Sequence, residues 1–396
     1  MKIKLLVLFG GKSTEHEVSI VSFAQAMENI DKNKYEIFPI YISKSGDFYY
    51  HKDLYFNVKN FSNINELLNK SVNVHLVKEK NKIYLKRTSK KIFEKNFISE
   101  IDIAFPIVHG TNVEDGNLQG YLHTLGLPIV GPSCLSAALT MDKYIMKQYL
   151  KSLDIPIIDA LRFDINDYID KNNLIKSIKD NFEFPVIVKP VNLGSSIGIS
   201  KANDENRLNE ALDLAFTFSN IILVEKAISN LREINCAVLG DINNVEVSLL
   251  EEPFGKDEIL SFKDKYLSGG KNGSKNTKNS FHSKNSGIKN SGMASLSRKI
   301  PADIDDNLKN KIIEYAKKAF KYLCLSGVCR IDFIIDKDNN QVYLNEANSI
   351  PGSLSYYLFD KKGINYPNLL DKLIGIALDE KRREDNLNWT FDNNLL

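Results

Sequence analysis

Uninterrupted apolar runs separated by short polar stretches dominate the first half of the chain and predict strands buried on both faces. LLVLFGG near the N-terminus is the first such run, residues 15–29 carry a helical pattern, and YEIFPIYI is the second run. Strand, helix and strand in that order predict a βαβ opening with a parallel sheet. Residues 50–100 are rich in Asn and Lys with short apolar runs, and read as an excursion on this unit with no recognisable chemistry. IDIAFPIVHG is a further buried strand, ending in a loop with His109, Glu114 and Asp115; a helix over 118–125 and a short strand, LPIVG, follow.

From Ser133 to Leu153 the pattern is helical, with Ser133 or Ser136 as N-cap and Lys143 inside the helix. FPVIVKPVNLGSSIGIS reads strand, loop, strand; residues 208–218 are helical; NIILVEKAI is a strand joining a central unit to a third one. REINCAVLGD and VEVSLLEEPF continue as strands of a mostly antiparallel sheet, followed by an amphipathic helix over 303–323. A last helix covers 366–378, and the charged end DEKRREDNLN is expected to fray. The expected architecture is therefore α/β and α+β: an N-terminal α/β unit over 1–132, a small central unit over 133–224, and a C-terminal unit over 225–396.

The stretch from Gly327 to Gly352 organises the rest. VCRIDFIID and QVYLNEAN flank the turn signal Asp338-Asn339-Asn340, which predicts a β-hairpin. Alternation puts Arg330 and Asp332 on one face, and Glu346 and Asn348 on one face. A register centred on Asn339 sets Asp332 opposite Glu346 and Arg330 opposite Asn348. Facing carboxylates repel, and the simplest relief is a divalent cation with hard oxygen ligands, Asn348 adding a third oxygen. Magnesium suits such a site when substrate phosphates complete its shell. Taken alone, the pattern fits an edge hairpin with solvated charges equally well.

Composition narrows the class. A chain of 396 residues with 43% hydrophobic and 26% charged residues fits a soluble protein of two or three domains. The net charge of +2 gives no global argument for nucleic acid or an anionic membrane, and no apolar run reaches the length of a membrane span. The N-terminal run lacks a small-residue cleavage site and reads as a first strand, so the expected location is cytoplasmic. Cys134, Cys236, Cys324 and Cys329 have no metal-type spacing and are expected to be reduced core thiols. Residues 268–297 hold five lysines and no acidic residue among Asn, Ser and Gly; a disordered surface loop or a basic lid near a phosphate site are both open readings.

Three further stretches carry candidate chemistry. Pro190 to Gly198 follows a buried strand ending in Lys189, and its glycines and serines suit close backbone approach to phosphate. Lys189 and Lys143 could hold phosphate oxygens as point charges, although a tight structural hairpin fits the same loop. Gly11-Lys12-Ser13 is not a P-loop, because Leu6 occupies the required first glycine position. LVEKAI, with Glu225, Lys226 and then Glu233, offers a strand and apolar hinge whose backbone could face a flat base, or a linker with exposed charges. Glu15 opens a helix after Gly10-Gly11, either as part of a helix start or as a carboxylate for a substrate ammonium.

Gly10-Gly11…Glu15-His16-Glu17-Val18-Ser19, His109-Gly110…Glu114-Asp115-Gly116, Met141-Asp142-Lys143, Val188-Lys189-Pro190…Gly194-Ser195-Ser196, Lys265-Tyr266, Arg330-Ile331-Asp332 and Asn345-Glu346-Ala347-Asn348…Pro351-Gly352 occur in this order. Together, and over nearly the whole chain, they resemble the D-alanine–D-alanine ligase family of ATP-grasp enzymes. The resemblance implies ATP between the second and third units. It implies Lys143, Lys189 and Lys265 on the phosphates, Ser196 in the loop that covers them, Glu225, Lys226 and Ile228 around adenine, and Glu233 on the ribose. Asp332, Glu346 and Asn348 would hold two magnesium ions, with manganese as a substitute. Glu15, Ser195 and Tyr266 would form a hydrogen-bonded set at the first D-alanine, Arg330 and the Gly352 N–H would stabilise the tetrahedral intermediate, and His109, Ser355 and Tyr357 would lie on the substrate side. A homodimer and a role in peptidoglycan precursor synthesis are also implied. Tyr357 departs from the family pattern, which carries a small hydroxyl residue there for the acceptor carboxylate. Two alternatives therefore stand beside a D-alanyl-D-alanine product: a ligase with a different second amino acid, and a silent nucleotide-binding paralogue.

Overall fold

The computed structural model describes residues 2–89, 96–254 and 297–390. Lys265, Tyr266 and almost all of the basic stretch 268–297 lie outside the described residues. The N-terminal sheet contains β1 (Ile3–Gly10), β2 (Tyr35–Ile42), β3 (Phe48–Tyr50), β4 (Val72–Glu79), β5 (Lys82–Arg87), β6 (Phe97–Ile101) and β7 (Ile103–Pro106), in the order β6-β5-β4-β3-β2-β1-β7. β1 runs parallel to β2 and β7, as the βαβ pattern predicts. Leu5 to Phe9 are completely enclosed, and helix α1 (His16–Asn29) stacks Phe23 on Phe9 at 3.8 Å between ring centroids. The 50–100 excursion adds helix α2 (Ile64–Asn69) and extends the sheet with antiparallel strands, whose buried Val74, Leu76, Ile83 and Leu85 alternate with polar neighbours. LPIVG contributes only a single bridge, Ala104 to Ile129, after helix α3 (Asn117–Leu125).

The expected single helix over 133–153 is two. Ser133 caps α4 (Cys134–Met141), and Asp142 breaks the run because its carboxylate accepts the Tyr144 and Ile145 N–H groups at 3.0 and 2.9 Å. α5 (Lys143–Lys151) therefore begins with Lys143. A second, antiparallel sheet holds β8 (Ala160–Asp164), β9 (Val186–Pro190), β10 (Ser200–Ala202) and β11 (Ile221–Lys226), ordered β10-β9-β11-β8. It packs on α6 (Lys171–Asn181) and α7 (Glu205–Phe216) through Leu174, Ile178, Leu208 and Leu212.

The third sheet orders β12 (Leu231–Gly240), β13 (Val245–Val247), β16 (Gly327–Asp336) and β17 (Gln341–Asn348) as β13-β12-β16-β17, all antiparallel. A short ladder of β14 (Glu252–Pro253) and β15 (Arg298–Lys299) lies beside it, and α8 (Asp306–Tyr322) covers one face. α9 (Tyr356–Asp360) and α10 (Tyr366–Glu384) share a core with the N-terminal sheet through Phe359, Leu370 and Leu373. α10 does not fray after residue 378. Arg383 pairs with Asp241 at 2.6 Å, which ties the charged end to the rest of the fold, and Lys381 pairs with Asp385 one turn on at 2.8 Å. Of the four free cysteines only Cys236 and Cys329 are in the core; Cys134 and Cys324 are exposed, against the expectation of core thiols throughout. Among the described residues no helix is long and apolar enough to cross a membrane.

Candidate active site

Asp332 faces Glu346 and Arg330 faces Asn348 across the hairpin. The path to that pairing differs from a simple register. Near the turn the strands pair one step out, with Ile334 opposite Tyr343, and a bulge at Asn345 restores the alignment. The bulge also decides which side chains leave the core. Val342 and Leu344 are buried, Asn345 and Glu346 are not, and Ala347 is buried again. Regular alternation would have sent Glu346 into the apolar face with Leu344.

The two carboxylates are not left to repel each other. Arg330 donates from Nε and Nη2 to the two Asp332 oxygens at 2.7 and 2.6 Å, a bidentate pair. Lys143 Nζ lies 3.8 Å from Glu346 Oε2 and donates to the Leu193 carbonyl at 2.6 Å. The sequence argument took a cation as the simplest relief; the fold supplies two basic side chains instead. The donor set still fits a hard divalent ion. Asp332 and Glu346 keep 14% and 22% of their side-chain surface, and Asn348 spends its Nδ2 on Asp332 and the Arg330 carbonyl, leaving Oδ1. Among the described residues no group of three or more His, Cys, Asp or Glu side chains could hold a metal, so an ion here would need outside oxygens as well.

Two clefts meet at this hairpin and share Lys143, Gly194 and Glu346. The first lies between the second and third sheets. Lys189, Ser196, Glu225, Lys226, Ile228 and Glu233 all line it, together with Asp332 and the apolar Ile158, Ile187 and Leu231. Glu225 is enclosed and salt-bridged to Lys189 at 2.7 Å and to Lys147. Burial pushes its carboxyl up, but the two ammoniums outweigh this and hold it below the usual carboxylate range. Sequence reasoning missed Lys147. Its one signal was the spacing of four from Lys143, which puts both on one face of α5.

The second cleft is lined by Glu15, His109, Glu114, Ser195, Arg330 and Gly352, among others. Glu15 is the N-cap residue of α1, as the helix-start reading expects, but its side chain makes no capping bond; its carboxylate instead accepts from the Ser195 hydroxyl. Gly194 permits this approach, since a Cβ there would lie 2.6 Å from Glu15 Oε2. Ser195 and Ser196 both take left-handed backbone angles, φ 55° and 60°, a strained conformation of the kind found where a loop is shaped for a ligand.

His109 is buried with both ring nitrogens engaged, Nδ1 with the Ile350 carbonyl and Nε2 with Ser22 Oγ, each at 2.9 Å. Burial pulls its pKa down to about 4. Ser22 Oγ in turn accepts the Ser353 N–H at 3.1 Å, so this set pins the Gly352 loop. Glu114 accepts the Gly110 and Ile350 N–H groups, both at 2.9 Å, and burial, aided by Glu15, pushes it up to about 8.

Two expected substrate-side residues, Ser355 and Tyr357, do not line the second cleft. Ser355 is enclosed in a left-handed turn spanning residues 353–355, and its hydroxyl has no hydrogen-bond partner among the described residues. Tyr357 lies with the Arg298 guanidinium 4.0 Å from its ring and its hydroxyl 3.4 Å from Glu251. Arg298 and Glu251 are themselves paired at 2.6 Å.

Residues 4–132 match the family model described as D-ala D-ala ligase N-terminus, and residues 149–289 and 279–375 match D-ala D-ala ligase C-terminus. The D-alanine–D-alanine ligase of Thermosipho melanesiensis is 39% identical over 391 residues, 98% of this chain and 97% of that protein. That of Caldicellulosiruptor bescii is 38% identical over 398 residues, 98% of this chain and 99% of that one. Among solved structures, the D-alanine–D-alanine ligase from Coxiella burnetii aligns with a TM-score of 0.76 at 28% identity, covering 97% of this chain and 96% of that one. The VanG D-Ala:D-Ser ligase from Enterococcus faecalis aligns with a TM-score of 0.74 at 30% identity, covering 95% and 100%.

Proposed function

Because the chain belongs to the D-alanine–D-alanine ligase family and has its ATP-grasp fold, we propose that it joins two D-alanines, with ATP converted to ADP and phosphate, to make the dipeptide of peptidoglycan precursors. The observation that carries this reading is the meeting of the two clefts at Lys143 and Glu346, one with buried cations suited to a polyphosphate, the other with Glu15 suited to an amino acid.

A carboxylate is a poor electrophile and has to be activated. In the first step an oxygen of the donor carboxylate attacks the γ-phosphorus, ADP leaves, and an acylphosphate forms. Lys143 and Lys189 hold the phosphates as point charges, while the β11 backbone up to Ile228 and Glu233 receives the nucleoside. Asp332, Glu346 and Asn348 would hold magnesium, which when bound neutralises charge on the phosphates. Glu15, fixed by Ser195, pairs with the donor ammonium. In the second step the acceptor amine attacks the acyl carbon and phosphate leaves with the former carboxylate oxygen. Arg330 and the Gly352 N–H are the donors for the oxyanion. His109 and Ser22 keep the Gly352 loop in place for that task.

A different acceptor is the second reading: Tyr357 stands where the family carries a small hydroxyl residue, and although it does not line the second cleft it lies near Arg330, which does. Phosphate release should be measured with ATP, magnesium and D-alanine alone, then with added D- and L-amino acids and D-lactate, with products identified by mass. D-alanyl-D-alanine from D-alanine alone is expected; turnover only with a second, different acceptor would overturn it.

A further inference from the structure

Lys147 stands four residues after Lys143 on α5, and its side chain has no exposed surface. Lysine is rarely enclosed without a purpose, because a buried ammonium loses its hydration and an apolar side chain would fill the same space at lower cost. Its ammonium pairs with one oxygen of Glu225, and Lys189 takes the other at 2.7 Å. One enclosed carboxylate thus serves two enclosed cations on the wall of the first cleft. Burial, only partly offset by Glu225, and the nearby Lys189 draw Lys147 down to about 8, consistent with two cations crowded on one anion.

With a single lysine the arrangement would be closed. Were Lys189 to turn from Glu225 to a phosphate, it would strand a carboxylate inside the protein, a strongly destabilising change. A second lysine removes that obstacle. We propose that Lys147 is a positioning residue that keeps Glu225 paired, so that Lys189 can exchange its carboxylate partner for a nucleotide phosphate. The inference rests on the reading of the first cleft as the ATP site. It assigns Lys147 no contact with the nucleotide.

Calorimetric binding of ADP with magnesium, and of adenosine, to wild type, Lys147→Met, Glu225→Gln and the double variant tests this. Loss of one charge-assisted contact should weaken ADP binding to Lys147→Met by about tenfold or more, with adenosine binding unchanged. With Glu225 neutralised there is nothing left to hold, so adding Lys147→Met to Glu225→Gln should cost ADP affinity no more than about twofold. That comparison stands even if the single Lys147 variant fails to fold. Equal loss of adenosine and ADP, or the same loss in the Glu225→Gln background, overturns the inference in favour of a packing role. So does unchanged ADP affinity in Lys147→Met. A wild type that binds no ADP overturns the assignment of the cleft and the inference with it.

Discussion

The Glu15 carboxylate rests against two glycines, and that closeness is a testable constraint. A Cβ at Gly194 would lie 2.6 Å from one oxygen, and one at Gly110, where φ is 82°, would lie 3.0 Å from it. Gly194→Ala should therefore displace Glu15 while leaving the fold intact, and a displacement of this order at a reacting site costs on the order of a hundredfold. Steady-state kinetics should show the loss in kcat/KM for D-alanine; unaltered D-alanine kinetics would count against Glu15 as the donor's partner. Glu114 makes a prediction in pH. Its folded-state pKa of about 8 lies above the ordinary 4.5, so its contribution to stability is complete below pH 4.5 and is lost as pH rises through about 8. His109, lowered to about 4 from 6.5, has the opposite sign: its contribution is lost as pH falls from 6.5 towards 4. Thermal midpoints should fall between pH 6.5 and 8 in the wild type, and Glu114→Gln should flatten that fall. An identical slope in the variant would show that Glu114 is ionised throughout.

At the scale of elements, two breaks in regularity set the site, and each was legible to a different degree. Asp142 ends one helix and caps the next, which is how Lys143 comes to open α5. A periodic apolar pattern runs straight through 133–153, so the break was invisible until the Asp142 carboxylate was seen on two N–H groups. Asp142→Ala should lose about 1 kcal/mol of stability in chemical denaturation, and weaken ATP binding more than that loss alone implies, because the first turn of α5 carries Lys143. The hairpin was legible from alternation, and the opposition of Asp332 to Glu346 was read correctly. The bulge at Asn345 was not, since nothing in VYLNEAN marks one extra residue.

For the molecule as a whole, order along the chain revealed the succession of units but not the contacts between distant parts. Asp371 of the last long helix bonds Lys34 and Tyr35 beside the N-terminal sheet, and Glu251 gathers Asn235, Arg298 and Tyr357 from three elements. Such partners are separated by tens to hundreds of residues, and local periodicity carries no information about them. Tyr357 was expected on the acceptor side from the family pattern, and its contacts with Arg298 and Glu251 were not legible in the sequence. Alternation along the strands pointed to Arg330, Asp332, Glu346 and Asn348, and most of the other cleft residues came from the ordered set of motifs that resembles the ligase family. Lys147 and Glu251 were not found, because each matters only through partners brought in from elsewhere.

The central claim is that the donor carboxylate is activated by phosphorylation in one continuous site. D-alanine labelled with oxygen-18 in its carboxylate tests it directly, with the released phosphate and the dipeptide analysed by mass spectrometry. The account predicts one labelled oxygen in each phosphate released, matched one to one with dipeptide formed, since the attacking oxygen departs with the phosphoryl group. Unlabelled phosphate, with the expelled donor oxygen found in water or in AMP, would contradict it.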